Sequence, residues 1–115
     1  MTSNVDDRTL YHPDHLVVRH LYDSDHMALV WFGFMTGQSL RDHQTSSEAV
    51  IQVLKGEIRL VTASEQRLQA GQAVKLEPNQ RHALTATQEA LVQLILVPHP
   101  RYHSLAKEID LPSHN

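Results

Sequence analysis

The sequence predicts an all-β protein, a small sandwich or barrel, on three observations. Apolar residues recur with a period of two in short runs along the middle of the chain, and turn residues separate these runs. Glycine is scarce, and Gly37, Gly56 and Gly71 all fall between such runs, where a backbone corner needs a positive φ. A helical period occurs only near the C-terminus. Short strands at close and regular spacing are typical of sandwiches and barrels.

The predicted strands follow one another with short connections. In chain order they are Leu16–Tyr22, Met27–Met35, Ala49–Leu54, Glu57–Val61, Gln66–Gln69, Ala73–Leu76, His82–Thr87 and Ala90–Val97. The second strand is apolar on both faces, and so is the third apart from Gln52, so both faces of each need cover. We expect the last two strands to pair with each other across Gln88 and Glu89.

The chain ends with a helix signal. Pro98 and Pro100 end the last strand, and apolar residues with a spacing of three and four follow. This predicts one short amphipathic helix over Arg101–Ile109. The predicted organisation is therefore an N-terminal segment with an edge strand (1–26), a barrel (27–97) and a C-terminal helix and tail (98–115).

Length and composition predict one domain that binds neither nucleic acid nor a membrane surface. The chain has 115 residues, 41% of them hydrophobic, which permits one modest core. Its net charge is −3 and no basic stripe runs along it, so we expect no nucleic-acid or membrane-surface partner. The N-terminus is acidic and polar, unlike a signal peptide, which predicts a cytoplasmic protein. Without cysteine there is no disulfide and no thiolate metal ligand.

Two histidines lie in glycine-marked segments with a distinctive spacing. The first segment reads Gly37, five residues, His43, one residue, Thr45, three residues, Ala49, six residues and Gly56. The second reads Gly71, five residues, Glu77, one residue, Asn79, two residues, His82, three residues and Ala86. These spacings match the two motifs of the cupin superfamily without insertion or deletion. The chain thus resembles a small single-domain cupin over roughly Met27 to Val97.

The resemblance implies a jelly-roll β-barrel and a reduced metal site. Cupin metal sites usually take two histidines and a glutamate from the first motif and one histidine from the second. Here His43 and His82 remain, while Thr45 stands for the second histidine and Ala49 for the glutamate. Weak binding of a divalent transition metal (iron, manganese, nickel, copper or zinc) by His43 and His82 is therefore one expectation.

Strand alternation predicts which side chains line the lumen. If His43 and His82 point inward, residues an even number of positions away in the same strand do so too. The same holds for Ala49, which stands where cupins have the glutamate, and for the residues at even spacing from it. The predicted ligand pocket also takes Trp31 as a neighbouring side chain that lines or fills it. Its residues are Thr45, Ala49, Ile51, Leu84, Ala86 and Trp31.

Three functions follow, and the first is preferred. The first is a small-molecule-binding protein with weak catalysis or none, because the pocket would be apolar with a few polar groups. The second is a metal-dependent oxygenase or isomerase that uses His43 and His82. The third is a dimeric interaction protein whose pocket is filled. We expect a homodimer, because the strands that are apolar on both faces need cover outside the barrel.

The second function requires a non-standard third metal ligand. The sequence offers Gln52, Gln93, Glu77, His26 or a histidine of a dimer partner. Glu48 is one residue out of register with the Glu position, and only a local bulge would turn it inward.

Overall fold

The structure, a computed structural model, describes residues 2–98, and of His43 it describes the backbone only. The described chain forms one short 3-10 helix, Arg8–Leu10, and nine strands. The strands are β1 (Val17–Asp23), β2 (Ala28–Phe34), β3 (Ser39–His43), β4 (Glu48–Lys55), β5 (Glu57–Val61), β6 (Glu65–Gln69), β7 (Ala73–Leu76), β8 (His82–Ala86) and β9 (Ala90–Val97). Within the described part no helix is long and apolar enough to span a membrane.

The strands form two antiparallel sheets packed face to face. The five-stranded sheet has the order β1-β2-β9-β4-β7, and the four-stranded sheet has the order β3-β8-β5-β6. The predicted all-β jelly-roll barrel is confirmed. The predicted helix over Arg101–Ile109 lies outside the described residues.

One prediction about the strands is wrong, and one strand was not predicted. β8 and β9 do not pair with each other: β8 pairs with β3 and β5, and β9 pairs with β2 and β4. The short connection between them crosses from one sheet to the other, which alternation within each strand does not reveal. The sequence also gave no signal for β3, because Ser39–His43 contains one apolar residue, Leu40, and an irregular register.

The core lies between the inner faces of the two sheets, and the size of its side chains differs between the two ends. On the five-stranded sheet, large side chains occupy one end, where Phe32 and Phe34 are fully buried. At the other end Ala28 and Ala49 flank Leu96 in one cross-strand row. The inner wall at this second end is therefore built from two short side chains, Ala28 and Ala49, that alternate with Leu96 and Leu76.

The N-terminal segment covers part of the outer face of the five-stranded sheet. Leu10 is buried against Trp31 and Leu91. The backbone comes so close that a Cβ on Gly33 would lie 1.7 Å from the carbonyl oxygen of Leu10. An ion pair of 2.6 Å between Arg8 and Glu89 also holds the segment to the sheet.

Three tight turns share one construction that ends in a glutamine. In residues 35–38, 69–72 and 77–80, the third residue has a positive φ, as a type II turn requires. In each turn the glutamine N–H donates to the carbonyl of the first residue. Its side-chain oxygen in turn accepts from the N–H of that first residue, at 2.7 to 3.0 Å. Two hydrogen bonds therefore close each turn, one between backbone groups and one from the backbone to the glutamine side chain.

Candidate functional site

One end of the barrel gathers most of the buried polar side chains. Among the described residues the buried polar or charged ones are Thr45, Ser47, Glu57 and His82, and only Glu57 lies elsewhere. The other three lie where β3 and β9 finish and where β4 and β8 begin. This is also the end that Ala28 and Ala49 line. We call it the polar end of the lumen.

A β-bulge in β3 sets the position of His43. Leu40 pairs with Leu84 and His43 pairs with His82, so two residues of β3 between these pairs oppose Ala83 alone. The extra residue in β3 forms the bulge and shifts the backbone register between β3 and β8 by one residue. The bulge therefore brings the backbone of His43 directly opposite that of His82.

His82 is a buried imidazole with a defined orientation. It is 3% exposed, and its Nδ1 lies 2.9 Å from the carbonyl oxygen of Gln80. A carbonyl only accepts, so Nδ1 carries the proton, and in the neutral ring Nε2 is the nitrogen with the lone pair. Burial lowers the pKa of His82, against the opposing effects of the Gln80 carbonyl and the Asp42 charge. The neutral form is therefore favoured at pH 7.

The loop before β8 explains where the Gln80 carbonyl lies. Pro78 and Asn79 are the two central residues of the turn, and Asn79 has a φ of 65°. Proline fixes the φ that the first central position needs, and asparagine tolerates the left-handed region at the second. The N–H of Asn79 also donates to the carbonyl oxygen of Thr45 at 2.7 Å, which joins the loops before β4 and β8.

Thr45 and Ser47 complete the polar end. The Thr45 Oγ1 accepts a 3.1 Å hydrogen bond from the N–H of Ser47, and the Ser47 hydroxyl donates to the carbonyl of Pro98 at 2.6 Å. Ser47 was not among the predicted site residues. The signal was available, because Ser47 lies two residues from both Thr45 and Ala49 and so shares their face.

Four predicted pocket residues are brought together inside the barrel. Ala49, Ile51, Leu84 and Ala86 are each 1 to 2% exposed and belong to one apolar cluster. Ala28, in the same cluster and in one row with Ala49, was missed because its strand is apolar on both faces.

Trp31 is not part of this interior, and its predicted place in the lumen is wrong. It lies on the outer face of β2, where it packs with Leu10 and Leu91. Its Nε1 donates to the Gln93 Oε1 at 3.0 Å, and the Gln93 Nε2 donates to the Gln52 Oε1 at 3.4 Å. These two hydrogen bonds also place Gln52 and Gln93 on the outer face of the sheet, so neither is a metal ligand in the lumen.

The remaining candidate metal ligands do not reach the polar end. Glu48 is exposed and lies 2.9 Å from the Nζ of Lys75, and Glu77 is exposed and lies 3.6 Å from the same atom. His26 is exposed in the turn between β1 and β2. Within residues 2–98, excluding the His43 side chain, no group of three or more histidine, cysteine or carboxylate residues could hold a metal. The described residues therefore do not fit a metal centre with three protein ligands.

Comparisons with known proteins identify the fold. No family model and no curated protein matches the sequence. The chain is similar to an RmlC-like cupin protein from Desulfovibrio desulfuricans, with a TM-score of 0.78 and 22% identity over 85% of this chain and 96% of that one. It is similar to a cupin superfamily protein from Desulfitobacterium hafniense, with a TM-score of 0.74 and 15% identity over 85% and 93%. It is also similar to KdgF from Halomonas sp., with a TM-score of 0.72 and 17% identity over 77% and 85%. At these identities the likeness concerns the fold.

Proposed function

Since this chain is a small cupin-fold domain, we propose that it binds a small organic molecule in the lumen, at the polar end. Thr45 and His82 would hold the polar part of the molecule, together with His43, whose backbone lies opposite His82. The apolar part would contact Ala28 and Ala49. The proposed activity is binding without a catalytic step, in the cytoplasm.

The observation that carries this proposal is the oriented, buried imidazole of His82. Its Nδ1 donates to the carbonyl of Gln80 at 2.9 Å, so in the neutral ring Nε2 is the acceptor nitrogen. The surrounding inner face is apolar, and at this level the short side chains of Ala28 and Ala49 alternate with Leu96 and Leu76. An apolar concavity with a few placed polar groups is the usual form of a small-molecule site.

The first test uses benzyl alcohol as the probe, because it combines an apolar ring with one hydroxyl. Its effect on the melting temperature is measured for the wild type, for Ala49→Phe and for Val50→Phe. The two positions are neighbours in β4 on opposite faces: Ala49 is 1% exposed and Val50 is 36% exposed. Ala49→Leu replaces Ala49→Phe if the latter does not fold.

Ligand that binds the folded state raises the melting temperature by mass action. We expect benzyl alcohol to stabilise the wild type and Val50→Phe and to leave the Ala49 variant unchanged. No stabilisation of the wild type, or equal stabilisation of the two variants, contradicts the proposal.

A metal-dependent function is the second candidate, and one observation favours it. Metal-binding histidines commonly donate their other ring N–H to a backbone carbonyl, as the Nδ1 of His82 does to Gln80. His43 and His82 would supply two imidazoles, and solvent or a bound molecule would have to supply the rest. The affinity would be weak for this reason, and iron, manganese, nickel, copper or zinc are the ions to measure.

Elemental analysis of the purified protein tests this candidate. Stoichiometric metal that is lost in His43→Ala/His82→Ala and kept in His20→Ala/His26→Ala would favour it. Both control positions are exposed. Absence of metal from all three proteins would exclude it and leave the binding proposal in place.

We also propose a homodimer that forms through the outer face of the five-stranded sheet. Leu29, Ile95 and Val50 form one cross-strand row on this face. Nearby, Tyr22 is 56% exposed and Val97 is 46% exposed. A second copy would remove this apolar row from water. A dimer whose melting temperature does not change with benzyl alcohol would support an interaction protein instead of a small-molecule-binding protein.

A further inference from the structure

A polar row crosses the outer face of the four-stranded sheet. Ser39 pairs with Thr85, Thr85 pairs with Arg59, and Arg59 pairs with Arg67. The four residues thus occupy one line across β3, β8, β5 and β6. Ser39, Arg59 and Arg67 are exposed and Thr85 is half-buried. Two guanidinium groups and two hydroxyl groups therefore share one strip of surface.

The two arginines are directly opposite each other on neighbouring strands. Directly opposed side chains have Cβ atoms about 4.5 to 5.5 Å apart, and like charges at such positions destabilise a sheet. Both side chains are long enough to converge on one group above the sheet. The pair therefore has an unfavourable interaction that an anion between the two guanidinium groups would relieve.

Two carboxylates flank the pair on this face and provide little compensation: Glu65 makes no ion pair within the described residues, and Glu57 makes a long one. Arg67 lies 3.5 Å from the Oε1 of Glu57, and the Arg67 side chain remains 68% exposed. Glu57 is already bound by the Thr87 hydroxyl at 2.6 Å and the Gln69 amide at 3.0 Å. These two hydrogen bonds lower the pKa of Glu57 more than the charge of Arg67 does. Glu57 is thus mainly a structural acceptor.

Five other cations of the described chain have ion-pair partners, and four of these pairs are shorter than 3.0 Å. Ion pairs of 2.6 to 3.7 Å join Arg8 to Glu89, Arg19 to Asp7, Lys55 to Asp6, Lys75 to Glu48 and Arg81 to Asp42. Within residues 2–98, Arg59 has no carboxylate within ion-pair distance. Arg59, which has no ion-pair partner within the described residues, thus lies beside Arg67, which is weakly paired. The net charge of the whole chain is −3.

We propose that Arg59 and Arg67 form a binding site for the phosphate group of a small phosphomonoester, with the hydroxyls of Thr85 and Ser39 beside it. A phosphomonoester carries about −1.5 to −2 charges at pH 7 and offers three acceptor oxygens. That charge matches two guanidinium groups, and the planar donor fork of arginine suits phosphate oxygens. A ligand with a single carboxylate would neutralise only one of the two guanidinium charges. The site lies on the outer face, on the other side of the sheet from His82, and is independent of the lumen.

The test uses phenyl phosphate as the probe, in a buffer free of phosphate and sulfate. Binding is measured by calorimetry, and the melting temperature is recorded with and without the probe. The variants are Arg59→Gln and Arg67→Gln. The control is Lys75→Gln, which makes the same change of charge on the other sheet, at a side chain that is 54% exposed.

We expect phenyl phosphate to bind the wild type and Lys75→Gln with equal affinity. Loss of one charged hydrogen-bonding partner should weaken binding about tenfold or more in each arginine variant. Without the probe, Arg59→Gln should melt higher than the wild type, because the opposed charges are gone. With the probe only the wild type and the control should be stabilised.

Equal weakening in Lys75→Gln and Arg59→Gln would show unspecific attraction and overturn the site. Absence of phenyl phosphate binding to the wild type would do the same. An oligoglutamate peptide that binds through Arg59 where phenyl phosphate does not would overturn the phosphate assignment in favour of an acidic protein segment.

Discussion

The Nδ1 of His82 lies 2.9 Å from the carbonyl oxygen of Gln80, the last residue of the tight turn that precedes β8. A residue two positions earlier in the chain thus decides which ring nitrogen of the buried histidine carries the proton. The turn depends on Asn79, whose φ is 65°. The orientation of the candidate site residue therefore depends on backbone geometry in a loop.

The first prediction concerns this turn. Asn79→Val should destabilise the protein by about 1 to 2 kcal/mol, because a β-branched residue is strained at a positive φ. Asn79→Gly should be close to neutral, since glycine adopts this region freely. Urea unfolding of the three proteins provides the measurement. Equal stability of the valine and glycine variants would show that the turn does not hold its φ in solution.

The second prediction concerns the close approach of the N-terminal segment to β2. Gly33→Ala should destabilise the protein by roughly 1 to 3 kcal/mol through overpacking, because the new Cβ would meet the backbone oxygen of Leu10. Trp31 is the one tryptophan of the chain and lies beneath Leu10. Its fluorescence should shift to the red as the segment lifts.

Gly37→Ala serves as the control for this substitution. A Cβ at Gly37 would contact nothing within 4 Å, so that variant is strained only by its φ of 88°. Its tryptophan spectrum should match that of the wild type. A red shift of equal size in both variants would contradict the close contact between Leu10 and Gly33.

The third prediction concerns the dependence of stability on pH. Hydrogen bonds from Thr87 and then Gln69 lower the pKa of Glu57 in the folded state. The unfolded chain therefore binds a proton more readily, and the contribution of Glu57 to stability is present above the unfolded pKa. It is lost as the pH falls through the folded pKa.

Urea titrations at pH 7 and pH 3 test this with Glu57→Gln. The variant should be less stable than the wild type at pH 7, and the difference should shrink at pH 3. Glu65→Gln is the control, because Glu65 is exposed on the neighbouring strand β6. A difference between wild type and Glu57→Gln that stays constant with pH would contradict the role given to the ionised carboxylate.

The fourth prediction concerns the proposed homodimer. Val50→Glu should convert a dimer into a monomer, because it places a charge in the apolar row of the outer face. Val61→Glu is a matched control: Val50 is 36% exposed and Val61 is 37% exposed, but Val61 lies on the four-stranded sheet. Light scattering after size exclusion gives the mass of each variant. A monomeric wild type, or equal masses for both variants, would reject this interface.

Alternation and turn residues alone predicted most of the strands. β5, β7 and β9 begin and end where the sequence predicted, because a period of two and the flanking turn residues are local properties of the chain. Gly37, Gly56 and Gly71 all have a positive φ, as their places in the turns required. The inward set around Ala49 and Leu84 also followed from alternation.

Tertiary contacts decided the rest. A strand such as β2, apolar on both faces, carries no local mark of which face is inner, so the place of Trp31 depended on the N-terminal segment that covers it. The pairing of β8 with β3, and the bulge that aligns His43 with His82, join residues about forty positions apart. Alternation relates residues within one strand. Which strands pair, and in which register, is determined by packing between segments that are distant in the sequence.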